Sequence, residues 1–162
     1  DLPENFEYRL PSVHEWVAAA ACGESRTYPW GNEWPPAYGN FSDQTAREHL
    51  PQWRGLEDYR DGYIVTCPVT QSGVNAWGIY GMAGNVWEWC RDWYDPDYYT
   101  VSPEKDPEGP ETAPESGTYR VIRSGTFKRS EVRCRSAFRS WNNPDFTTSD
   151  QGMRIIRRPD AE

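Results

Sequence analysis

Polar and hydrophobic positions follow a clear helical spacing in one place, shortly after the start of the chain. Ser12 and Glu15 form a capping box, in which each side chain can bond the backbone N–H of the other. The positions that follow are apolar or small: Trp16, Val17, Ala19, Ala20 and Cys22. Since Pro11 prevents an earlier start and Gly23 favours an end, the pattern predicts one short, tightly packed helix.

Alternation of polar and apolar side chains is confined to short stretches. Residues 118–123 and 153–157 alternate and are predicted to form strands. Residues 33–63 are irregular, apart from one helical turn expected near 45–49. Residues 101–117 combine prolines with acidic side chains, which predicts an exposed acidic loop.

Residues 78–89, with the sequence Gly-Ile-Tyr-Gly-Met-Ala-Gly-Asn-Val-Trp-Glu-Trp, fit neither pattern. Their glycines favour positive φ or close backbone approach, and neither a helix nor a strand favours this mixture. Glu88 lies between Trp87 and Trp89, so its carboxylate needs a cation or several donors if the rings are buried. We therefore predict irregular, heavily packed backbone with a candidate metal or polar site, and no regular element.

The composition indicates one loop-rich domain. The chain has 162 residues, enough for one core, so residues 1–162 are treated as a single domain. Trp (9) and Tyr (10) are abundant while aliphatic side chains are sparse, which predicts an aromatic core whose N–H and O–H groups find partners. With 13 Gly and 14 Pro, much of the backbone is expected to form turns and loops.

The formal net charge of −8 argues against nonspecific binding to nucleic acid or to anionic membranes, and it allows cation binding. Apolar runs are too short to span a membrane, so no membrane insertion is expected. The chain starts at Asp1 without a Met, from which we expect a processed or excised piece of a larger protein. The sequence does not determine the cellular compartment. For this bacterial-type chain, an extracytoplasmic or complex-associated location is slightly favoured.

The cysteines and histidines limit metal chemistry. The chain has four cysteines, none of them in a CxxC pair: Cys22, Cys67, Cys90 and Cys134. Their spacing argues against a zinc knuckle. Aromatic or aliphatic neighbours favour buried thiols, although up to two disulfides stay open. With only two histidines, the chain cannot build a three-histidine metal centre alone.

A series of motifs in a fixed order carries a resemblance to a known family. They are Arg9-Leu10-Pro11-Ser12, Glu15-Trp16, 28–32 (Tyr-Pro-Trp-Gly-Asn), 75–89, 120–127 (Arg-Val-Ile-Arg-Ser-Gly-Thr-Phe), 134–139 (Cys-Arg-Ser-Ala-Phe-Arg) and 152–154 (Gly-Met-Arg). The chain thereby resembles the formylglycine-generating enzymes, also called sulfatase-modifying factors, over nearly its whole length. The resemblance implies an α+β variant of the C-type lectin fold, with short twisted antiparallel strands, few helices and much irregular backbone. It also implies that an N-terminal part of the family fold is absent here, either cleaved or present as another chain.

The resemblance implies a structural calcium site in the first half of the chain. Its ligands would be the side chain of Asn40, the carbonyl of Phe41, the carboxylate of Asp61 and the carbonyl of Tyr63. Oxygen-only ligands suit Ca²⁺, and Gly62 allows the sharp turn that such a site needs. The alternative is an Asx-turn at each place without metal. With the resemblance, calcium is favoured.

A second implied calcium site lies within residues 78–89. It would use the carbonyls of Gly84 and Val86 and the carboxylate of Glu88. Gly81 stands where family members carry an Asn or Asp ligand, which weakens the site. The alternative is that Glu88 accepts hydrogen bonds from backbone amides, and a metal is less favoured here than at the first site.

The family's oxidases hold copper between two cysteines just after the Gly-Ser-aromatic motif, and soft thiolates suit Cu(I). The corresponding residues 126–133 contain no cysteine. Cys134 belongs to the next motif, and one thiol cannot form a bis-thiolate site. We therefore expect no copper and no formylglycine-generating activity. A related branch makes sulfoxides with iron held by three histidines of a partner domain, which this chain cannot supply.

Basic side chains cluster after the missing copper site: Lys128, Arg129, Arg133, Arg135 and Arg139. One interpretation is salt bridging within the domain, and the other is a patch that recognises an acidic or carboxylate-bearing partner. Residues 141–146 form a polar, aromatic loop of the kind found in binding surfaces.

We therefore expect a non-catalytic binding or structural module, a subunit or processed fragment that docks a protein, peptide or glycan ligand. Its predicted surface is Lys128, Arg129, Glu131, Arg133, Trp141, Asn142 and Asn143. One candidate partner is the chain's own N-terminal portion as a separate chain, and some ligand-binding proteins of this fold diversify their C-terminal loops. The alternative is an oxygen-dependent oxidase or sulfoxide synthase completed by a missing domain or partner chain.

Overall fold

The helix predicted near the start of the chain is present. A computed structural model describes residues 3, 5–115, 117–129 and 131–159, with the side chain of Glu131 excluded. Helix α1 spans Val13–Ala21, and both halves of the capping box form: the Glu15 N–H donates to Ser12 Oγ (3.2 Å), and the Ser12 N–H donates to Glu15 Oε2 (2.7 Å). The helix ends one residue earlier than predicted, because Cys22 adopts a left-handed conformation (φ +53°) and caps it.

Six short strands form two sheets within the described residues. They are β1 (Phe6–Arg9), β2 (Trp87–Trp93), β3 (Arg120–Arg123), β4 (Ser140–Asn142), β5 (Gln151–Met153) and β6 (Ile156–Pro159). The larger sheet has the order β4-β3-β2-β5, and β1 pairs with β6 in a separate ribbon. All pairs are antiparallel except β2 with β5, which is parallel. This α+β architecture with few helices is the predicted one, and β3 confirms the strand expected over 118–123.

The second helix is short and begins at a side-chain cap. Helix α2 spans Gln44–His49, which confirms the helical turn expected near 45–49. Asp43 caps it, because its Oδ1 accepts a hydrogen bond from the Ala46 N–H at 3.0 Å. The cap residue is fully buried, so its second carboxylate oxygen needs a hydrogen-bond donor from within the interior.

The prediction of irregular backbone over 78–89 is wrong for the last three residues. Trp87 begins β2, the strand that β3 and β5 flank on its two sides. Pairing with strands distant in sequence overrides the poor local preference of this segment. Residues 78–86 do lack a regular element, and their glycines adopt positive φ: Gly78, Gly81 and Gly84.

The single strand predicted over 153–157 is divided into two. Strand β5 ends at Met153 and β6 begins at Ile156. The chain changes sheets here, because β5 pairs with β2 in the larger sheet and β6 pairs with β1 in the ribbon. The break directs the Arg154 side chain onto Glu88 of β2.

The core consists of two adjoining clusters, and much of it is aromatic. The first contains Val13, Trp16, Ala20, Met82, Cys90 and Val121. The second contains Phe41, Leu56, Ala83 and Cys134, with Trp30, Tyr38 and Tyr59 packed against it. Met82 and Ala83 are consecutive and fully buried, so residues 78–86 join the two clusters.

Residues 101–115 and 117–119 form bends and turns, and most of their acidic side chains are exposed. The loop is attached to β2 by an ion pair between Arg91 and Glu108 at 3.4 Å. Gly109 packs so closely that a Cβ there would lie 2.5 Å from Asp92 Oδ1. Among the described helices, none is long and apolar enough to cross a membrane.

The capping box makes a testable prediction about pH. The Arg9 guanidinium binds both oxygens of Glu15, which with the Ser12 bonds lowers the Glu15 pKa to about 2. A lowered native pKa stabilises the fold above the unfolded pKa and ceases to do so as the pH falls through the native pKa. Glu15→Gln should therefore lower the free energy of unfolding by about 0.5–1 kcal/mol at pH 7, since solvent screens this partly exposed pair.

Urea denaturation at pH 7 and near pH 2 measures this effect. The difference between Glu15→Gln and the unmodified chain should be reduced by more than half at the lower pH, where the Glu15 carboxyl begins to be protonated in the folded state. Glu57→Gln is the matched control, because Glu57 is 81% exposed and pairs with Arg47 only at 3.5 Å. An equal loss at both pH values would contradict the assignment of the effect to the Glu15 carboxylate.

Candidate functional site

Two of the residues predicted to bind the first calcium, Asn40 and Phe41, lie on a buried segment, residues 40–43 (Asn-Phe-Ser-Asp), which we call the central segment. All of its residues have 0% exposure. Its backbone is bonded to residues 83–85: the Asn40 N–H donates to the Ala83 carbonyl (3.2 Å), and the Asn85 N–H donates to the Asn40 carbonyl (2.8 Å). The approach is so close that a Cβ at Gly84 would lie 2.0 Å from the Asn40 carbonyl oxygen. Only glycine fits there.

Asp61 lies against the central segment. Its Oδ2 accepts a hydrogen bond from the Phe41 N–H at 2.8 Å, and its Oδ1 accepts one from the Tyr63 N–H at 2.7 Å. The Asp61 N–H in turn donates to Asp43 Oδ2. Gly62 has φ +87°, the left-handed conformation that the tight turn requires. The four residues of the predicted first site therefore lie together.

The donor groups at this place fit a hard cation. Asn40 Oδ1 is buried and has no hydrogen-bond donor among the described residues. Its amide orientation is consistent with the surroundings, because Nδ2 donates to the Val65 carbonyl (2.8 Å) and to Asn85 Oδ1 (3.2 Å). Burial, with a smaller effect of Asp43, raises the pKa of Asp61 to about 6. A desolvated carboxylate and an unsatisfied amide oxygen are both types of group that coordinate calcium.

Carboxylates alone would not complete such a site. Among the described residues, no three His, Cys, Asp or Glu side chains converge as a metal-binding group. A cation held here would therefore also need amide and carbonyl oxygens, which is the donor set predicted for Asn40, Phe41, Asp61 and Tyr63.

The predicted second calcium site does not fit the structure. The Glu88 carboxylate is 7% exposed and is held by Arg154, whose Nε donates to Oε2 (2.9 Å) and whose terminal nitrogen donates to Oε1 (2.7 Å). The Trp16 indole N–H adds a third hydrogen bond at 2.6 Å. A guanidinium thus supplies the cation that a carboxylate between tryptophans requires.

Two other positions of the second site, Gly84 and Gly81, already have close neighbours. The Gly84 carbonyl accepts a hydrogen bond from Ser124 Oγ at 2.9 Å. A Cβ at Gly81 would lie 2.8 Å from Val69 Cγ2 and 3.7 Å from an Arg154 nitrogen, so a ligand side chain there would meet the guanidinium. The prediction of calcium at Gly84, Val86 and Glu88 is therefore corrected to an arginine–carboxylate pair.

A basic cavity of about 530 Å³ lies beside the central segment. It is lined by residues from two stretches of the chain: Gln52, Trp53, Arg54, Lys128, Arg129 and Arg133. We call it the basic pocket. Three members of the predicted binding surface, Lys128, Arg129 and Arg133, lie in it. The side chain of Glu131 lies outside the described residues.

The other half of the predicted surface lies elsewhere. Trp141 and Asn142 belong to β4, an edge strand of the larger sheet, and Asn143 follows it. Trp141 packs on the ring of Tyr119, with centroids 4.3 Å apart, and is 45% exposed. None of the three lines the basic pocket.

Residues 52–54, which form the opposite wall of the pocket, are not among the predicted site residues. The sequence did contain one indication of this wall: Trp53 and Arg54 are adjacent in a segment without a regular element. Tryptophan and arginine are the residue types that occur most often at the centre of binding sites. Arg139, a member of the predicted basic cluster, contacts the faces of Tyr94 and Tyr99 at 4.8 and 4.5 Å. The buried arginine is Arg123, at 0% exposure.

All four cysteines are buried, as predicted, and none forms a disulfide. Cys90 lies in the first core cluster and Cys134 in the second. Burial raises the pKa of the Cys67 and Cys90 thiols, which keeps them neutral. A pair of exposed thiolates at residues 126–133 is not available from this chain.

Comparison with known proteins identifies relatives over most of the chain. A family model described as "Sulfatase-modifying factor enzyme 1-like domain" matches residues 4–159. The chain is 40% identical over 162 residues to the formylglycine-generating enzyme of Thermomonospora curvata, covering 93% of this chain and 50% of that enzyme. It is 36% identical over 152 residues to serine/threonine-protein kinase pkn1 of Chlamydia pneumoniae, covering 92% of this chain and 21% of the kinase.

Solved structures give the same result for the fold. Treponema denticola variable protein 1 matches with a TM-score of 0.67 and 28% identity, covering 91% of this chain and 46% of that protein. The chain therefore spans half or less of the length of each of these relatives.

The arginine–carboxylate pair makes a prediction about stability and metal dependence. Arg154→Ala should lower the free energy of unfolding by about 3 kcal/mol, because it leaves the Glu88 charge buried without its partner. Adding Glu88→Gln to this variant should restore part of the loss. Urea denaturation at pH 7, with and without calcium, measures both effects.

Arg158→Ala serves as the control, because Arg158 pairs with Glu7 at an exposed position on β6 and should contribute less than about 1 kcal/mol. Calcium should not rescue Arg154→Ala. Full rescue by calcium would show that a metal can occupy the second site after all.

Proposed function

Since the chain belongs to the family of formylglycine-generating enzymes, or sulfatase-modifying factors, we propose that it is a non-catalytic binding module of that family. It docks a protein, peptide or glycan ligand at the basic pocket, and calcium at the first site holds the pocket's walls in place. The observation that carries this proposal is the lining of the pocket: arginine and lysine stand in the stretch where the family's oxidases carry their copper-binding cysteines.

The thiols of the chain support a role without copper. A bis-thiolate site needs two accessible thiolates within reach of one metal ion. Cys90 and Cys134 pack in different core clusters, and the other two are buried at separate points of the chain. Cys134 also lies beneath backbone, since a Cβ at Gly125 would approach its sulfur to 2.5 Å.

The relatives are consistent with a domain used for purposes other than oxidation. A segment of a chlamydial protein named as a serine/threonine-protein kinase is 36% identical to this chain, and the Treponema denticola relative is named a variable protein. A domain that recurs in proteins of such different names is suited to a binding or structural role. A separate chain that supplies the rest of the family fold is one candidate partner.

The alternative is an oxygen-dependent oxidase or sulfoxide synthase completed by a missing domain or partner chain. It is favoured by the 40% identity to a formylglycine-generating enzyme, of which this chain covers half. In that case the metal ligands would come from outside residues 126–133. The two functions differ in the metal that the purified chain retains.

Metal analysis tests the proposed function. The purified chain, exposed to Cu(I) under reducing conditions and to Fe(II) and then desalted, should retain neither metal in stoichiometric amount, because hard oxygen donors and neutral buried thiols bind them weakly. Elemental analysis by mass spectrometry gives the content per chain, and a formylglycine-generating enzyme of the family treated in parallel is the positive control. Stoichiometric copper or iron would overturn the binding-module proposal.

Calcium should stabilise the protein through Asp61. At a concentration a hundred times the Kd, a ligand stabilises the folded state by about 2.7 kcal/mol, which for a domain of this size raises Tm by on the order of 5–10 °C. Asp61→Ala should lower Tm and abolish this calcium-dependent increase. Differential scanning calorimetry with calcium and with EGTA measures both.

Asp58→Ala is the matched control, since Asp58 is exposed in the same stretch of chain and has no part in the site. It should keep the full increase in Tm. A calcium-dependent increase that survives in Asp61→Ala would contradict the first site.

A further inference from the structure

We propose that the basic pocket binds a carboxylate-rich peptide segment, with the side chains of Arg54 and Arg129 as its principal contacts. This inference rests on the proposed binding function and names the class of ligand. It follows from the charge, the construction and the shape of the pocket.

The pocket carries positive charge that the described residues pair only in part. Of its basic residues, Lys128 pairs with Asp150 at 3.4 Å. In the described part of the chain, Arg54 and Arg129 form no ion pair, and both are exposed. Arg133 lies over the face of Phe138, at 5.9 Å, and forms no ion pair with the described residues. In a chain of net charge −8, so many unpaired cations around one cavity favour an anionic ligand.

The two walls of the pocket are fixed by one residue of the central segment. The Ser42 N–H donates to the Arg129 carbonyl at 3.2 Å, and the Ser42 carbonyl accepts from the Leu56 N–H at 2.8 Å. Between the wall residues and Leu56, Gly55 lies so close that a Cβ would approach the Ser42 carbonyl oxygen to 2.3 Å. Because Ser42 is fully buried, the walls are held from beneath while their charged ends face solvent. The pocket is therefore preorganised, which reduces the entropy lost on binding.

An aromatic floor lies between the charges. Trp53 packs on Phe127 with ring centroids 5.9 Å apart, and it is half-buried. A ring in this position offers an apolar surface to the methylene groups of Glu side chains, while guanidinium groups bind the carboxylates in a planar, two-point geometry. Gln52 adds an amide that can donate to a carboxylate or to a peptide carbonyl.

The size and charge of the site favour a peptide over other anions. The cavity of about 530 Å³ lies within the range of pockets that enclose small ligands, roughly 300–1,000 Å³, and a few residues of a peptide fill such a space. A long polyanion would also contact the rest of an acidic domain, whose net charge of −8 repels it. A short acidic segment places its charge only where the cations are.

Isothermal titration calorimetry with the full chain in calcium tests the proposal. The probe is a short peptide of four Glu residues between Gly residues, and the same peptide with Gln in place of Glu is the control ligand. The Glu peptide should bind and the Gln peptide should not. Affinity should fall at least about tenfold in Arg54→Ala with Arg129→Ala, since the variant loses two charge-assisted contacts. Higher salt should weaken binding further.

Arg47→Ala is the matched control variant. It removes a partly exposed arginine of a neighbouring surface cavity, outside the basic pocket, and should leave affinity unchanged. Arg129→Lys keeps the charge but loses the two-point geometry, so its affinity should fall between those of the unmodified chain and of Arg129→Ala. Since the substituted side chains are exposed, near-ultraviolet circular dichroism should show unchanged folding.

Three results would overturn the proposal: equal binding of the Gln peptide, unchanged affinity in the Arg54→Ala and Arg129→Ala variant, or tighter binding of a sulfated oligosaccharide or of inorganic phosphate than of the Glu peptide. Each of these leaves the metal analysis unaffected. A chain without copper that ignores the Glu peptide would remain a binding module with another ligand, whereas a copper-loaded chain would remove the proposed function itself.

Discussion

The hydrogen bonds of the central segment, residues 40–43, join parts of the molecule that no regular element connects. One end of the segment is bonded to residues 83–85, which link the two core clusters. Its middle bonds to the Asp61 carboxylate, and Ser42 bonds to Arg129 in one wall of the basic pocket and to Leu56, two residues beyond the other wall. Its last residue, Asp43, caps α2 and accepts the Asp61 N–H. Since the segment is fully buried, each of these backbone groups would be costly to leave unpaired. The central segment therefore holds together the parts of the fold that lack helices and strands.

A second constraint is the buried carboxylate of β2. Glu88 between two tryptophans must be neutralised, and the family resemblance implied calcium for that purpose. In this chain Arg154 does it, and the position of Arg154 depends on the break between β5 and β6. The same break lets β6 pair with β1. The two residues between β5 and β6 therefore place Arg154 against Glu88 and also allow the ribbon of β1 and β6 to form. Glycine at position 81 is consistent with this arrangement, because a larger side chain there would compete with the Arg154 guanidinium for the same space.

Features whose causes lie within a few residues were predictable from the sequence. The capping box of α1, the turn near 45–49 and strand β3 belong to this group, and so does the burial of the thiols. Features that depend on distant partners were not. Trp87–Trp89 lie in a strand only because β3 and β5 flank them, and residues 153–157 are divided because two different sheets take the two halves. The family resemblance supplied what local patterns lacked at Asp61, which bonds to Phe41 although α2 and two loops separate them in sequence. It gave no indication of Gln52, Trp53 and Arg54. Their position at the pocket depends on backbone hydrogen bonds of neighbouring residues, such as that between Leu56 and Ser42, which no pattern of side chains reveals.

The chemistry open to the basic pocket follows from the groups that line it. A guanidinium stays protonated, so it can orient an anion but can neither accept a proton nor supply electrons. Lys128 is engaged with Asp150, and Gln52 and Trp53 offer a neutral amide and an indole. The thiol next in sequence, on Cys134, is enclosed by the core and by the backbone at Gly125. Among the described residues, the pocket thus combines strong groups for holding an anion with none suited to nucleophilic or redox steps. Catalysis at this place would require groups other than those of the described lining, whereas the guanidinium groups of that lining are suited to holding an anion.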